Sequence, residues 1–210
     1  MEYLVTHLEL VGTLLAEHLR MAGLSLAISL LIAVPLGVLI ARLRWLRGPV
    51  LGVLGVIYTI PSLSLFVLLI PLFGLGLTPA VIALVAYAQL VLVRNWLVGL
   101  VSIDPAMIEA GKAMGMNSWQ LFWKVEFPLA LPLLLAGIRL AAIAIIGIGT
   151  IAAYINAGGL GRLLFEGVTT ANSQKILAGS LAVSVLAIAV NYLLRLLERR
   201  AEVAVRVSTN

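Results

Sequence analysis

The 210-residue chain contains no cysteine, which excludes disulfides, thiol nucleophiles and cysteine-based metal sites. Charge is scarce too: Asp, Glu, Lys and Arg make up 11% of the residues, against about 25% in ordinary soluble chains. Acidic residues are absent from the central parts of the long apolar runs, where an ion-coupled secondary transporter would need them. An intramembrane enzyme would need paired aspartates, a serine with a histidine, or a metal cluster, and none is grouped in those runs. The two histidines, His7 and His18, lie near the N-terminus and read as surface residues rather than metal ligands. Gly111-Lys112 is followed by Ala113 and lacks the upstream glycine of a nucleotide-binding loop, so ATP hydrolysis is not expected on this chain. The first eighteen residues carry Glu2, Glu9 and Glu17 but no Lys or Arg ahead of Arg20, the wrong charge for the start of a cleaved signal peptide.

What is abundant is apolar surface. Hydrophobic residues make up 62% of the chain and the mean hydropathy is +1.15. Such a surplus needs lipid as its solvent, and the expectation is one all-α, multi-pass membrane domain over residues 1–210. Five runs reach the roughly 20 apolar residues that cross a bilayer: Met21–Ala41, Val50–Phe73, Pro79–Leu100, Leu133–Tyr154 and Ile176–Leu197. The net charge of +5 does not point to nucleic acid, because the basic residues sit at the ends of these runs. Eleven of the fourteen Lys and Arg fall on one side, leaving Arg20, Arg162 and Lys175 on the other. The positive-inside rule then predicts an outer N-terminus and a cytoplasmic C-terminus, with residues 198–210 as a cytoplasmic tail. Trp45, Trp96, Trp119 and Trp123 gather on or near the same cytoplasmic side. Residues 1–18 place Leu4, Val5, Leu8, Val11 and Leu15 on one face, which predicts a short amphipathic helix on the outer surface.

The interval 101–132, VSIDPAMIEAGKAMGMNSWQLFWKVEFPLALP, is the longest between two runs and is strongly punctuated. Asp104 is an N-cap type followed by Pro105 at the first helical position. A short helix is expected from there to about Met114, with Gly115 ending it in the left-handed conformation. Asn117 or Ser118 can cap a second short helix, which Pro128 is expected to stop. Small residues at Ala110, Gly111, Ala113 and Gly115 would let a partner surface approach, and Met107, Met114 and Met116 offer adaptable apolar contacts. On physics alone, an ordinary amphipathic interfacial loop meets the same description.

The order Glu109-Ala110-Gly111, three residues, Gly115, nine residues, Val125-Glu126-Phe127-Pro128 resembles the EAA motif of ABC-importer permeases. The family pattern is Glu-Ala-Ala, three residues, Gly, nine residues, Ile, any residue, Leu-Pro. Glu109, Ala110, Gly115 and Pro128 match it, while Gly111, Val125 and Phe127 depart mildly. The resemblance implies a type I importer permease in a bacterial or archaeal inner membrane. It implies a coupling helix over Glu109–Gly115, including Met114, docked in a groove of a separate ATPase dimer that carries ATP and Mg. It also implies a second permease copy or paralogue and an extracytoplasmic binding protein. Glu109 would pair with a basic residue of the ATPase, or locally with Lys112 at i,i+3 spacing.

Within the family the chain is most similar to osmoprotectant permeases for glycine betaine, choline or carnitine. That likeness rests on Tyr58–Phe66, Tyr87–Asn95, and the turn Ala157-Gly158-Gly159-Leu160-Gly161 followed by Ile176–Gly179. The glycine-rich turn also occurs in permeases for methionine and other small solutes, which remain the alternative. Pro61 kinks its span. Thr59, Ser62, Ser64, Gln89, Tyr154 and Asn156 are candidates for the translocation path, because polar groups in a span must face other helices or water. Helix–helix hydrogen bonding is the competing role for the Ser and Thr residues. The aromatics within the spans, chiefly Tyr58, Phe66, Tyr87 and Tyr154, form no evident cage for a quaternary ammonium, consistent with affinity residing in a separate receptor.

Overall fold

The computed structural model describes residues 6–209, with side chains described through Val203. Every regular element among them is helical. α1 spans Leu8–Arg42, α2 Arg47–Thr59, α3 Ser62–Phe73 and α4 Leu77–Val101. Then come α5, Pro105–Ala113, and α6, Ser118–Leu121, with α7 at Phe127–Gly149. The chain closes with α8, Gly161–Thr169, and α9, Ser173–Thr209. Four stretches are long and apolar enough to cross a membrane: α1, α4, Ser118–Gly149 and Ser173–Val203. The pair α2–α3 supplies a fifth span if counted as one, bent by 95°.

The bend follows from Pro61, which has no N–H to give the preceding turn. Ile60 is extended at ψ 127°, and its carbonyl accepts the hydroxyl of Tyr87 from α4. A carbonyl exposed by the break is therefore satisfied by a neighbouring helix, which is how a broken helix is tolerated in lipid.

α1 packs on α4, α4 on α7, and α7 on α9. The buried face of α1 runs Leu14, His18, Met21, Ser25, Ser29, Ala33, Gly37 and Ile40, one residue per turn. The small side chains in this stripe let the backbones approach closely. At Gly37 an added Cβ would lie 2.5 Å from the Cβ of Trp96 on α4. The main core gathers around α4, where Ala80, Ala83, Leu84, Leu92 and Val93 are fully buried.

Three expectations are corrected. The segment 1–18 is not a separate surface helix: from Leu8 it is the first part of a 35-residue helix running unbroken to Arg42. Met1–Val5 lie outside the described residues. A helix of that length extends about 50 Å, well beyond the roughly 30 Å hydrocarbon layer. His18 is consequently on the buried stripe rather than the surface, with Nε2 3.1 Å from the carbonyl of Ile146. Pro128 does not stop the second helix of the 101–132 interval. The amide of Phe127 bonds the carbonyl of Phe122 through a π turn over Phe122–Glu126, and the helix continues to Gly149. The wider turn rearranges the carbonyls ahead of the proline ring, which needs no hydrogen-bond acceptor itself. The tail from Glu198, for which no other conformation was expected, is helical to Thr209.

Candidate coupling surface and translocation path

At the end of the molecule where α1 finishes and α7 begins, α5 and α6 form a braced projection. The Asp104 carboxylate accepts the amide of Ala106 at 2.9 Å, with Pro105 occupying the first turn. At the other end of α5, Gly115 donates to Lys112 and Met116 to Gly111, with Gly115 at φ 77°. This pair of bonds is a Schellman closure, and its left-handed residue is the one a side chain would strain. Asn117 and Gln120 then form a reciprocal capping box, with bonds of 2.9 and 3.1 Å.

Glu109, Ala110, Met114 and Gly115 are exposed on this projection, Met114 at 70%. Gly111 is not part of the exposed face. It is buried, and an added Cβ would lie 2.6 Å from Leu121. The missing side chain lets α5 lie close on Leu121 of α6. Among the described residues Glu109 makes no ion pair, with Lys112 or any other residue.

Two ion pairs that the sequence alone did not signal lie here, one tying this end to the first span and one joining two spans. Arg42, the last residue of α1, holds Glu126 through both oxygens, one bond being 3.0 Å. Glu126 lies in the π turn and is buried, so the first span is tied directly to the segment that follows α6. Arg139 on α7 bonds Glu198 at 2.8 Å and Asn191 at 3.2 Å on α9.

The path candidates are not brought together. Thr59 and Ser64 are exposed and Ser62 half-buried around the Pro61 bend, where the Thr59 hydroxyl bonds the Val56 carbonyl at 2.7 Å. Gln89 is buried between α1 and α4, donating to the Ser29 carbonyl at 3.3 Å. It belongs to a helix interface. Tyr154 and Asn156 are exposed at the opposite end of the molecule, with Asn156 left-handed at φ 61°. Tyr58 and Tyr87 meet edge to face with ring centroids 5.9 Å apart.

At that opposite end, the turn 156–160 docks on α1. The Glu17 carboxylate accepts the amide of Gly159 at 2.9 Å, and His18 leaves no room for a side chain there. α8 follows, an amphipathic helix that sequence reasoning missed because it is only nine residues long and carries Arg162 and Glu166. Glu166 accepts Arg162 at 2.7 Å and Lys175 at 3.2 Å. The bond from Arg162 does most to hold its carboxyl below the usual carboxylate range, with that from Lys175 adding to it.

Residues 33–203 match the family described as the inner-membrane component of binding-protein-dependent transport systems. The osmoprotectant import permease protein OsmW of Salmonella typhimurium is 42% identical over 93% of this chain and 94% of its own. The glycine betaine/carnitine/choline transport system permease protein OpuCB of Bacillus subtilis is 38% identical over 88% of this chain and 85% of its own. Among solved structures, a chain of the MetNI methionine ABC transporter, captured in inward-facing conformations, superposes with a TM-score of 0.82. It is 25% identical and covers 92% of this chain and 97% of that one. Permeases of this family work with an ATPase on a separate chain and a substrate-binding protein. The chain therefore belongs to the binding-protein-dependent transport family, as an inner-membrane permease subunit of the type I ABC-importer fold and not an enzyme.

Proposed function

We propose that this permease passes a compatible solute of the glycine betaine, choline or carnitine type into the cytoplasm, by alternating access. The observation that carries this reading is the 42% identity to an osmoprotectant permease across nearly the full length of both chains. The methionine reading has a specific point in its favour, the 0.82 TM-score to the methionine transporter chain, but at 25% identity. Fold is shared widely among permeases of different cargo, so sequence likeness weighs more on substrate class.

In this reading the N-terminal end faces outside and the α5–α6 projection faces the cytoplasm, as the distribution of Lys and Arg supports. The exposed Glu109, Ala110 and Met114 are the contact surface for an ATPase dimer, which binds ATP and Mg. Closure of that dimer pushes α5. The Schellman closure and the capping box make α5–α6 stiff, and the Arg42–Glu126 pair delivers the displacement to α1 and α7. A second permease copy or paralogue completes the path, and an extracytoplasmic binding protein delivers the solute. Thr59, Ser64, Tyr154 and Asn156 are the path candidates that remain on open surfaces.

Two experiments test this. In proteoliposomes holding the complete importer, Glu109→Lys with Met114→Glu should abolish stimulation of ATP hydrolysis by loaded binding protein. Both residues are exposed, so the fold is spared, and normal stimulation would overturn the coupling assignment. The cognate binding protein should bind glycine betaine, choline or carnitine; one that bound only methionine would sink the substrate class and leave the importer intact.

A further inference from the structure

We propose that the cleft beneath α8 is a transit site for the carboxylate of a zwitterionic solute, with Arg162 as the carboxylate fork and Phe165 as the apolar wall. This rests on the compatible-solute reading above and on the assignment of the α8 end to the outside.

The cleft is about 560 Å³, and Asn156, Arg162, Phe165, Glu166 and Thr169 line it. That volume falls in the roughly 300–1,000 Å³ range of small-molecule sites. Arg162 commits only Nε to Glu166, and its two terminal nitrogens make no hydrogen bond among the described residues. A guanidinium edge with two parallel donors matches a carboxylate in bidentate fashion. Glu166 is paired by two cations, Arg162 and Lys175, so the cleft carries no unbalanced negative charge from it. Glu17 reaches the same turn but accepts the Gly159 amide and does not line the cleft.

The other half of a betaine is a methylated ammonium, whose partner is an aromatic face. Phe165 stands three residues from Arg162 on one helix, about 5–6 Å away. Its ring is held by Tyr154 at a centroid distance of 5.7 Å. The two ends of a small zwitterion are thus matched by adjacent positions of one short helix. The Arg162 side chain is 60% exposed, so the fork is hydrated and its hold weak. A weak hold suits a site that receives solute from a receptor and must release it inward.

The competing occupant is an acidic loop of the binding protein, which Arg162 would equally attract. The complete importer in proteoliposomes separates the two, with glycine betaine and choline as probes and the binding protein saturating. Arg162→Gln should lower the glycine betaine rate about fivefold, the loss of a charged hydrogen bond at an exposed site, and leave choline, which has no carboxylate, within about twofold. Lys175 still pairs Glu166 in this variant, so no carboxylate is orphaned, and Arg162→Lys should recover only part of the rate. The affinity of the binding protein for the permease should not change. A parallel fall in that affinity, an equal loss for both solutes, or no loss at all would overturn the proposal. A wild-type importer that carried neither solute would instead sink the substrate reading on which it rests.

Discussion

Single residues in this permease differ sharply in what surrounds them, even when they are chemically the same. Gly111 and Gly161 are both buried glycines. At Gly111 an added Cβ meets the tip of the Leu121 side chain, which can rotate away. At Gly161 it would fall on the Thr150 backbone carbonyl, which cannot. Gly111→Ala should therefore change thermal stability in detergent little, by less than about 1 kcal/mol, whereas Gly161→Ala should cost about 3 kcal/mol or more through forced backbone displacement. Glu126 is the second informative residue. Glu126→Gln keeps the shape of the buried side chain but removes its charge, while Arg42 stays half-exposed and can rehydrate. The expected cost is about 1–3 kcal/mol in unfolding, with a larger effect on receptor-stimulated ATP hydrolysis than on folding.

At the scale of elements, the helix breaks and caps decide how the spans are set. The α2–α3 bend depends on Tyr87 satisfying the Ile60 carbonyl. Tyr87→Phe removes the donor and leaves a carbonyl unpaired, for a predicted loss of about 1–3 kcal/mol, measurable as a lower unfolding midpoint in detergent. The α8–α9 junction behaves differently because its clamp titrates. The Glu166 carboxyl is held below its usual range, chiefly by Arg162. A depressed carboxyl contributes stability that is present above its ordinary titration range and is lost as pH falls toward its lowered value. Proteolysis in the 170–172 turn should therefore stay slow at neutral pH and accelerate only in acid. Lys175→Gln should move that onset to higher pH, and an unmoved onset would show that the clamp is not what protects the turn. Caps and glycine-ended turns were legible beforehand: Asp104–Pro105, Gly115 and Asn117 each do what their chemistry predicts, since a cap depends only on residues within one turn. The role of Pro128 was not legible, because the π turn that carries the helix past it is held by Arg42, eighty-four residues away.

For the molecule as a whole, the distribution of charge predicts orientation. A reporter that matures only in the cytoplasm, fused after Asn210, should be active, and one active only outside the membrane should be silent there. Exchanging Arg42, Arg44 and Arg47 for Gln should weaken that preference and produce a mixed topology. Helix lengths and hydropathy were enough to mark a helical membrane protein of four or five spans, since lipid forces every backbone donor into local helical bonds. The helical class, the five apolar runs, the capped helix at Pro105 and the family were thus determined by sequence alone. Which faces of those helices meet was decided only by the tertiary structure. In lipid, apolar residues are soluble on every side of a helix, so hydropathy marks no inner face; small-residue stripes and a few distant polar partners select it. That is why His18 proved buried, Gln89 proved part of a helix interface, Gly111 faced inward, and the cleft at Arg162 and Phe165 could be seen only once α8 had been folded against its neighbours.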